Sequence, residues 1–297
     1  MAPWRSGLTH QPFTLAFRGS NPLGVTMKKT LPRQCFFACK RNLPDVYGNI
    51  LYNRSCLGYT SLKASGVFRM KLTPRLQAIA DKIPPGSAVA DIGSDHAYIP
   101  VYLLVNRLAR RVIASDNNKG PLTAAAQTLK LFNLEKAVDL RLADGLEAIK
   151  PEDDVDTVVI AGMGGETICS ILARGKDIIS AAVSLVLQPM TDAGLVRRWL
   201  ADNGFAIVDE DIAQEGARFY EIIVARRGQG MERQDFSDEI GPVLLAKKHP
   251  LLKPMLEQRL RRLRKAAAYA SHSAAARERV RQLEERARYL EEVLSWL

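Results

Sequence analysis

Cysteine is scarce in this chain of 297 residues: there are four, and Cys35, Cys39 and Cys56 all lie in the first 69 positions. So few do not make a disulfide scaffold, and neither a C-x2-C pair nor a His-rich tract accompanies the Cys35/Cys39 spacing to complete a zinc site. No metal is therefore expected, and a reducing cytoplasm is the expected compartment. No apolar run reaches the roughly eighteen residues of a membrane-spanning helix, which argues against a membrane partner. Acids are nearly missing from the first 69 residues, where Asp45 stands alone against ten Lys and Arg, a local net charge of +9. The chain total is +10, so residues 70–297 carry only +1. A basic balance usually suggests nucleic acid, but here it resides almost wholly in one terminal segment. The rest is the composition of a folded chain, 47% hydrophobic and 25% charged over the whole length, enough for one large or two modest domains.

The segment 1–69 shows neither helical nor alternating apolar periodicity and reads as structureless. Three readings compete: a transit peptide, a disordered basic arm that contacts phosphates, or an extension translated from a start set too early. The third is favoured, because ordered patterning begins at Met70 (MKLTPRLQAIADKI) and the segment lacks a targeting helix's Arg and Ser spacing.

From Leu72 onward short apolar runs alternate with helical patterns. Strands are expected at 87–92, 111–115, 138–142, 155–161 and 184–188, with helices at 98–109, 119–132, 166–173 and 192–203. Such alternation implies a mostly parallel sheet covered on both faces. Two further strands, 205–209 and 219–225, have no helix between them and should form an antiparallel hairpin at one edge.

In such sheets the ligand lies at the carboxyl ends of the strands. After the first strand comes Asp91-Ile92-Gly93-Ser94-Asp95-His96, which has one glycine for close backbone approach but not the G-x-G-x-x-G that cradles a pyrophosphate. Asp91 and Asp95 stand where a dinucleotide's negative charge would lie, which disfavours NAD and suits an ammonium or sulfonium ligand. Asp116 follows the second strand, the place of a carboxylate that bonds adenosine ribose hydroxyls. Asp144-Gly145 follows the third, with an acid able to accept from adenine's exocyclic amine. Gly162-Met163-Gly164-Gly165 follows the fourth and brings bare backbone to the pocket mouth. An Asp at one strand end is commonly a helix cap; four such signals at successive strand ends form a pattern.

D-I-G-S-D-H-A-Y-I-P (Asp91–Pro100), Gly120-Pro121, A-D-G-L (Ala143–Leu146), I-A-G-M-G-G (Ile160–Gly165), L-Q-P-M (Leu187–Met190) and R-x-W-L (Arg197–Leu200) together resemble the bacterial tRNA (adenine-22) N1-methyltransferase family, TrmK. The resemblance runs from about Leu72 to the carboxyl end, with Asn117-Asn118 a departure from the small or apolar residue expected after the ribose Asp. It implies a class I Rossmann-like methyltransferase domain over 70–230, S-adenosylmethionine as cofactor, and methyl transfer to ring N-1 of an adenine in tRNA. It also implies a cofactor site drawn from Asp91, Gly93, Ser94, Asp95, His96, Asp116, Asn117, Asp144, Gly145 and Gly162. Asp95, Gly162, Met163, Gly164 and Glu166 are candidates for orienting the base. His96 either donates to the methionine carboxylate or caps and packs the helix, the latter favoured; Gln188 either bonds substrate or packs. No Ser-His-Asp or Cys-His set is present, nor the N/D-P-P-Y/F turn that grips an exocyclic amine under methylation. Two other readings stand beside this one: a methyltransferase acting on another RNA or a protein, and a tRNA-binding protein with an inactive pocket.

Beyond Gly228-Gln229-Gly230 the sheet pattern stops, and residues 231–297 read as a helical domain. Leu256, Leu260, Leu263, Ala267, Ala270 and Ala274 follow a four-three alternation that resumes from Val280 after a phase slip near 271–273, as in an αα hairpin or coiled coil. Between Lys247 and Lys265 lies a basic run, Lys247, Lys248, Lys253, Arg259, Arg261, Arg262, Arg264 and Lys265, against Glu257 alone. Either it is a solvated face or it is an arm that grips tRNA by its phosphates. A monomer is the default oligomeric state.

Overall fold

The computed structural model describes residues 57–62, 68–179, 183–228, 238–272 and 276–297. Residues 1–56 lie outside the described residues, as do 229–237, next to the expected domain boundary, and 273–275, at the expected phase slip. The chain divides into two compact units, Met1–Thr73 and Pro74–Leu297. In the first, β1 (Leu57–Leu62) and β2 (Phe68–Leu72) form a two-stranded antiparallel sheet with an irregular register between Gly58 and Ser61. Regular structure thus begins before Met70, in a stretch whose composition carries no periodic apolar signal; a hairpin held by backbone pairing needs none.

The second unit opens with α1 (Pro74–Ala80) and continues through β3 (Ser87–Ile92), α2 (Tyr98–Val105), β4 (Ala109–Asp116), α3 (Lys119–Leu131), β5 (Val138–Leu142), β6 (Thr157–Gly164), α4 (Gly165–Arg174), β7 (Ser184–Thr191), α5 (Ala193–Asp202), β8 (Phe205–Glu215) and β9 (Arg218–Arg227). The strands make one seven-stranded sheet in the order β5-β4-β3-β6-β7-β9-β8. The first five are parallel; β9 runs antiparallel to both β7 and β8. This is the expected α/β architecture with its edge hairpin. All six residues of β3 are buried, as a central strand covered on both faces requires. The chain leaves β3 toward β4 on one side and returns to β6 on the other, so the order reverses between β3 and β6, where a ligand crevice opens at the carboxyl edge. One core joins β3, β6, β7, α4 and α5 through Ile92, Ile160, Ile168, Leu172, Leu187 and Leu200; truncating one such fully buried Leu to Ala costs about 2–5 kcal/mol.

Two boundaries differ from the sequence pattern. Helix α2 stops at Val105 rather than Ala109, because Arg107 takes a left-handed φ of 55° and Leu108 N–H returns to Leu103 O, a turn that ends helices and frees Ala109 to open β4. Strand β6 runs through Ala161–Gly164 with register shifts opposite β7, so the glycines are a bulged strand end rather than a loop.

The carboxyl-terminal part contains α6 (Pro242–Ala246), α7 (Leu252–Ala270) and α8 (Arg277–Ser295). The start of α7 (Leu252, Met255, Leu256) clusters with the end of α8 (Leu290, Val293, Leu294), so the two helices are antiparallel, with Ile212 and Ile240 in the same cluster. Among the described residues no helix is long and apolar enough to cross a membrane, and no group of three or more His, Cys, Asp or Glu is arranged to hold a metal ion.

Candidate active site

The carboxyl ends of β3, β4, β5 and β6 build the site. Asp91, near the end of β3, is buried, and that burial pushes its carboxyl up to about 6, with the Ser94 hydroxyl acting in the opposite direction. A buried anion so penalised gains most from a cationic ligand. Just beyond it, Gly93 has φ +80°, and the N–H groups of Gly93 and Ser94 both donate to Ser115 O on β4 at 2.8 Å. Glycine is favoured there by its conformation, and the Met163 methyl lies where a Gly93 side chain would begin, so the β3 and β6 ends meet.

Asp116 ends β4. Its Oδ1 accepts from Asn118 N–H at 2.8 Å, while Asn117 Oδ1 accepts from Asn118 Nδ2 at 2.7 Å. Asp144 follows β5 and is held by the Arg174 guanidinium of α4, through both of its oxygens. Gly145, at φ +57°, packs against Ile171. The Ser115 hydroxyl is fully buried and lacks a hydrogen-bond partner among the described residues.

His96 is not the helix cap. Ala97 holds that position with a left-handed φ of 52° and no side-chain cap bond, and the His96 ring stacks on Tyr98 at 5.1 Å between centroids. The packing half of the expected role is thus what the structure shows. Its Nε2 lies 3.5 Å from the largely exposed Asp95 carboxylate.

At the β6 end Gly162 takes φ +78°. Gln188 of β7, fully buried, accepts Gly162 N–H at 3.2 Å and Arg75 Nη1 at 2.9 Å on the same Oε1, and donates to Pro189 O. Gln188 is therefore a peg that shapes the glycine segment. Gly164 caps α4 and Gly165 opens it; a Cβ on Gly165 would lie 2.6 Å from Asp192 O. Glu166 is exposed in the first turn of α4, where the helix dipole favours an acid. Arg75, from α1, had no signal in the sequence: an arginine at the second position of a helix belongs to no motif, and only the sheet brings it beside Gly162.

The basic run divides. Arg259 turns inward to the buried Glu221 and to Glu239 O, Lys247 pairs with Asp209, and Arg264 bridges to Glu291 on α8. Arg259 is thus withdrawn from a solvent-facing patch, because a buried carboxylate claims it. Lys248, Lys253, Arg261, Arg262 and Lys265 are exposed. The arm is tied to the sheet at the same edge as the site: Gln258 Nε2 donates to Ala217 O in the β8–β9 turn. Behind that tie, Arg197 of α5 is buried between Glu210 and Glu221.

The family model described as tRNA (adenine(22)-N(1))-methyltransferase matches residues 89–292. The tRNA (adenine(22)-N(1))-methyltransferase of Bacillus subtilis is 34% identical over 233 residues, which is 76% of this chain and 98% of that protein. The crystal structure of the B. subtilis enzyme, TrmK, aligns at a TM-score of 0.69, covering 76% of this chain and 100% of that one. A Streptococcus pneumoniae protein solved in complex with S-adenosyl-L-methionine is 32% identical, with a TM-score of 0.68, over 75% of this chain and 99% of that one.

Proposed function

Since the chain belongs to the tRNA (adenine(22)-N(1))-methyltransferase family, we propose that it methylates ring N-1 of adenine 22 in tRNA, with S-adenosylmethionine supplying the methyl group. The observation that carries this reading is the buried Asp91 at the switch point, with acids at the next two strand ends and a glycine strand end alongside. The residues fit the cofactor: Asp91, Gly93, Ser94, Asp95 and His96 at the β3 end for its cationic methionine part, Asp116 with Asn117 for the ribose, and Asp144 with Gly145 for the adenine.

Ring N-1 of neutral adenine already has a free lone pair, so the protein needs no general base to take a proton first. Its residues have positional work to do: hold the base in line and exclude water. Adenine N-1 lies on the Watson–Crick edge, so the base enters unpaired or flipped. Gly162, Met163 and Gly164 present backbone to it, their shape set by Gln188, and Asp95 and Glu166 are the acceptors for its exocyclic amine. Residues 70–230 act as the catalytic domain and 231–297 as an arm whose exposed Lys248, Lys253, Arg261, Arg262 and Lys265, with Arg264, contact phosphates. Lys247 and Arg259 serve instead to fix the arm. A cytoplasmic location and action as a monomer go with this reading.

The test is to add the protein and labelled S-adenosylmethionine to unmethylated tRNA and map the methylated position. Label at adenine 22, lost when that base is replaced, is the expected result. Label in rRNA or protein with none in tRNA would overturn it.

A further inference from the structure

We propose that Arg75 is a substrate-positioning residue that anchors an RNA backbone phosphate next to the target adenosine. The proposal rests on the tRNA reading above and adds to it the group that makes an acid-lined pocket acceptable to a polyanion.

Arg75 is held from three sides. Its Nη1 donates to Gln188 Oε1 at 2.9 Å, the oxygen that also fixes Gly162 N–H. Its guanidinium carbon lies 5.6 Å from the centroid of the Tyr220 ring, a cation–π contact. Its backbone N–H donates to Glu215 Oε1 at 2.8 Å. All these partners sit at the carboxyl edge: Gly162 lies two residues before the end of β6, Gln188 lies in the last half of β7, and Glu215 and Tyr220 flank the β8–β9 turn. Nη1 comes within 3.6 Å of where a Gly162 side chain would begin. The guanidinium's Nε and Nη2 make no hydrogen bond among the described residues, and the side chain is only half-buried.

An arginine pre-set by a buried peg and an aromatic face, with two nitrogens still able to donate, matches a phosphate's paired oxygens. The need for it follows from the charges around it. Asp91, Asp95, Asp116, Asp144 and Glu166 gather at the same strand ends, and residues 70–230 carry net −3. A flipped adenosine brings its flanking phosphates toward those acids. Asp91 and its neighbours suit the cationic cofactor; Arg75 offsets them for the RNA. A purely structural role, bracing Gln188 and stacking on Tyr220, would leave Nε and Nη2 with nothing to bond.

The experiment compares wild type, Arg75→Ala and Arg75→Lys in three measurements: tRNA affinity over a range of salt concentrations, kinetics with tRNA, and calorimetric titration with S-adenosylmethionine. Arg75→Ala should raise KM for tRNA by about tenfold and lower the log–log salt slope of tRNA binding by about one. Cofactor affinity should stay within about twofold, and Arg75→Lys, which keeps the charge but not the fork, should restore the salt slope while recovering only part of the tRNA affinity. If Arg75→Ala does not fold, Arg75→Gln, which can keep the Gln188 bond without the charge, takes its place with the same expectations. An unchanged salt slope in the neutral variant, a Lys variant whose slope is as low as the neutral one's, or lost cofactor affinity would overturn the phosphate role. A wild type that binds no tRNA at all would refute the tRNA reading itself; one that binds tRNA with a slope indifferent to residue 75 refutes only this proposal.

Discussion

Replacing Arg197 with Met should expose how the catalytic sheet and the arm are joined. The Arg197 guanidinium donates through Nε to Glu210 Oε1 at 2.8 Å and through Nη2 to Glu221 Oε2 at 2.6 Å, with all three side chains 5% exposed or less. Glu221 also meets Arg259 from α7, so two cations balance two anions. Met fills much of the same volume but leaves Glu221 to Arg259 alone and Glu210 with no cation, only the Val243 N–H. Breaking a buried pair in this way costs about 3–5 kcal/mol, which for a chain of this size lowers Tm by about 6–20 °C. The pH dependence supplies a second reading. Burial by itself pushes Glu221 up, but Arg197 and Arg259 outweigh it and hold the carboxyl at about 2, against an ordinary value of 4.5. A carboxyl depressed on folding contributes stability above its unfolded value, here on the order of 3 kcal/mol, and loses it as pH falls from about 4.5 toward 2. The gap between wild type and Arg197→Met, measured by urea denaturation with far-UV circular dichroism, should therefore be widest near pH 7 and shrink near pH 3. A loss under about 1 kcal/mol at pH 7, or a gap that does not change with pH, would refute the reasoning.

Cofactor affinity should weaken as pH falls through about 6, where the buried Asp91 takes up a proton and loses its attraction for a cation, by about tenfold per unit below that value; titration calorimetry between pH 5 and 8 checks this, and Asp91→Asn should abolish the dependence. Asp116→Ala should weaken S-adenosylmethionine binding by about 10- to 100-fold, the worth of hydrogen bonds to a charged acceptor, and an unchanged Kd would remove Asp116 from the ribose site. Gly165→Ala places a methyl 2.6 Å from Asp192 O and 3.0 Å from Thr191 O, both backbone atoms that cannot swing aside; overpacking of this kind costs about 1–3 kcal/mol, readable as a lowered urea midpoint. Joint replacement of Lys253, Arg261, Arg262 and Lys265 by Ala should lower the salt slope of tRNA binding by about three to four while leaving the cofactor Kd unchanged, since these side chains are exposed on α7 and none belongs to the strand-end residues of the cofactor site.

The sequence by itself determined the sheet, its edge hairpin and the acids at the strand ends, because each is a local signal. An apolar run marks a strand, and the residue that follows it must lie at the carboxyl edge whatever the rest of the chain does. Asp91, Gly93, Asp116, Asp144 and Gly162 were legible for that reason. Only the tertiary structure decided which side chains meet across elements. Gln188 and Gly162 are 26 positions apart, Arg75 and Gln188 are 113 apart, and Arg259 reaches Glu221 across 38. No period or spacing encodes such pairs; they follow from the order in which strands join the sheet. The same reason divided the basic run of α7. Composition counted six equivalent cations on that helix, but a buried carboxylate must be paired or neutralised, so Glu221 drew Arg259 inward and tied it to the scaffold, while its neighbours Arg261 and Arg262 remained at the surface.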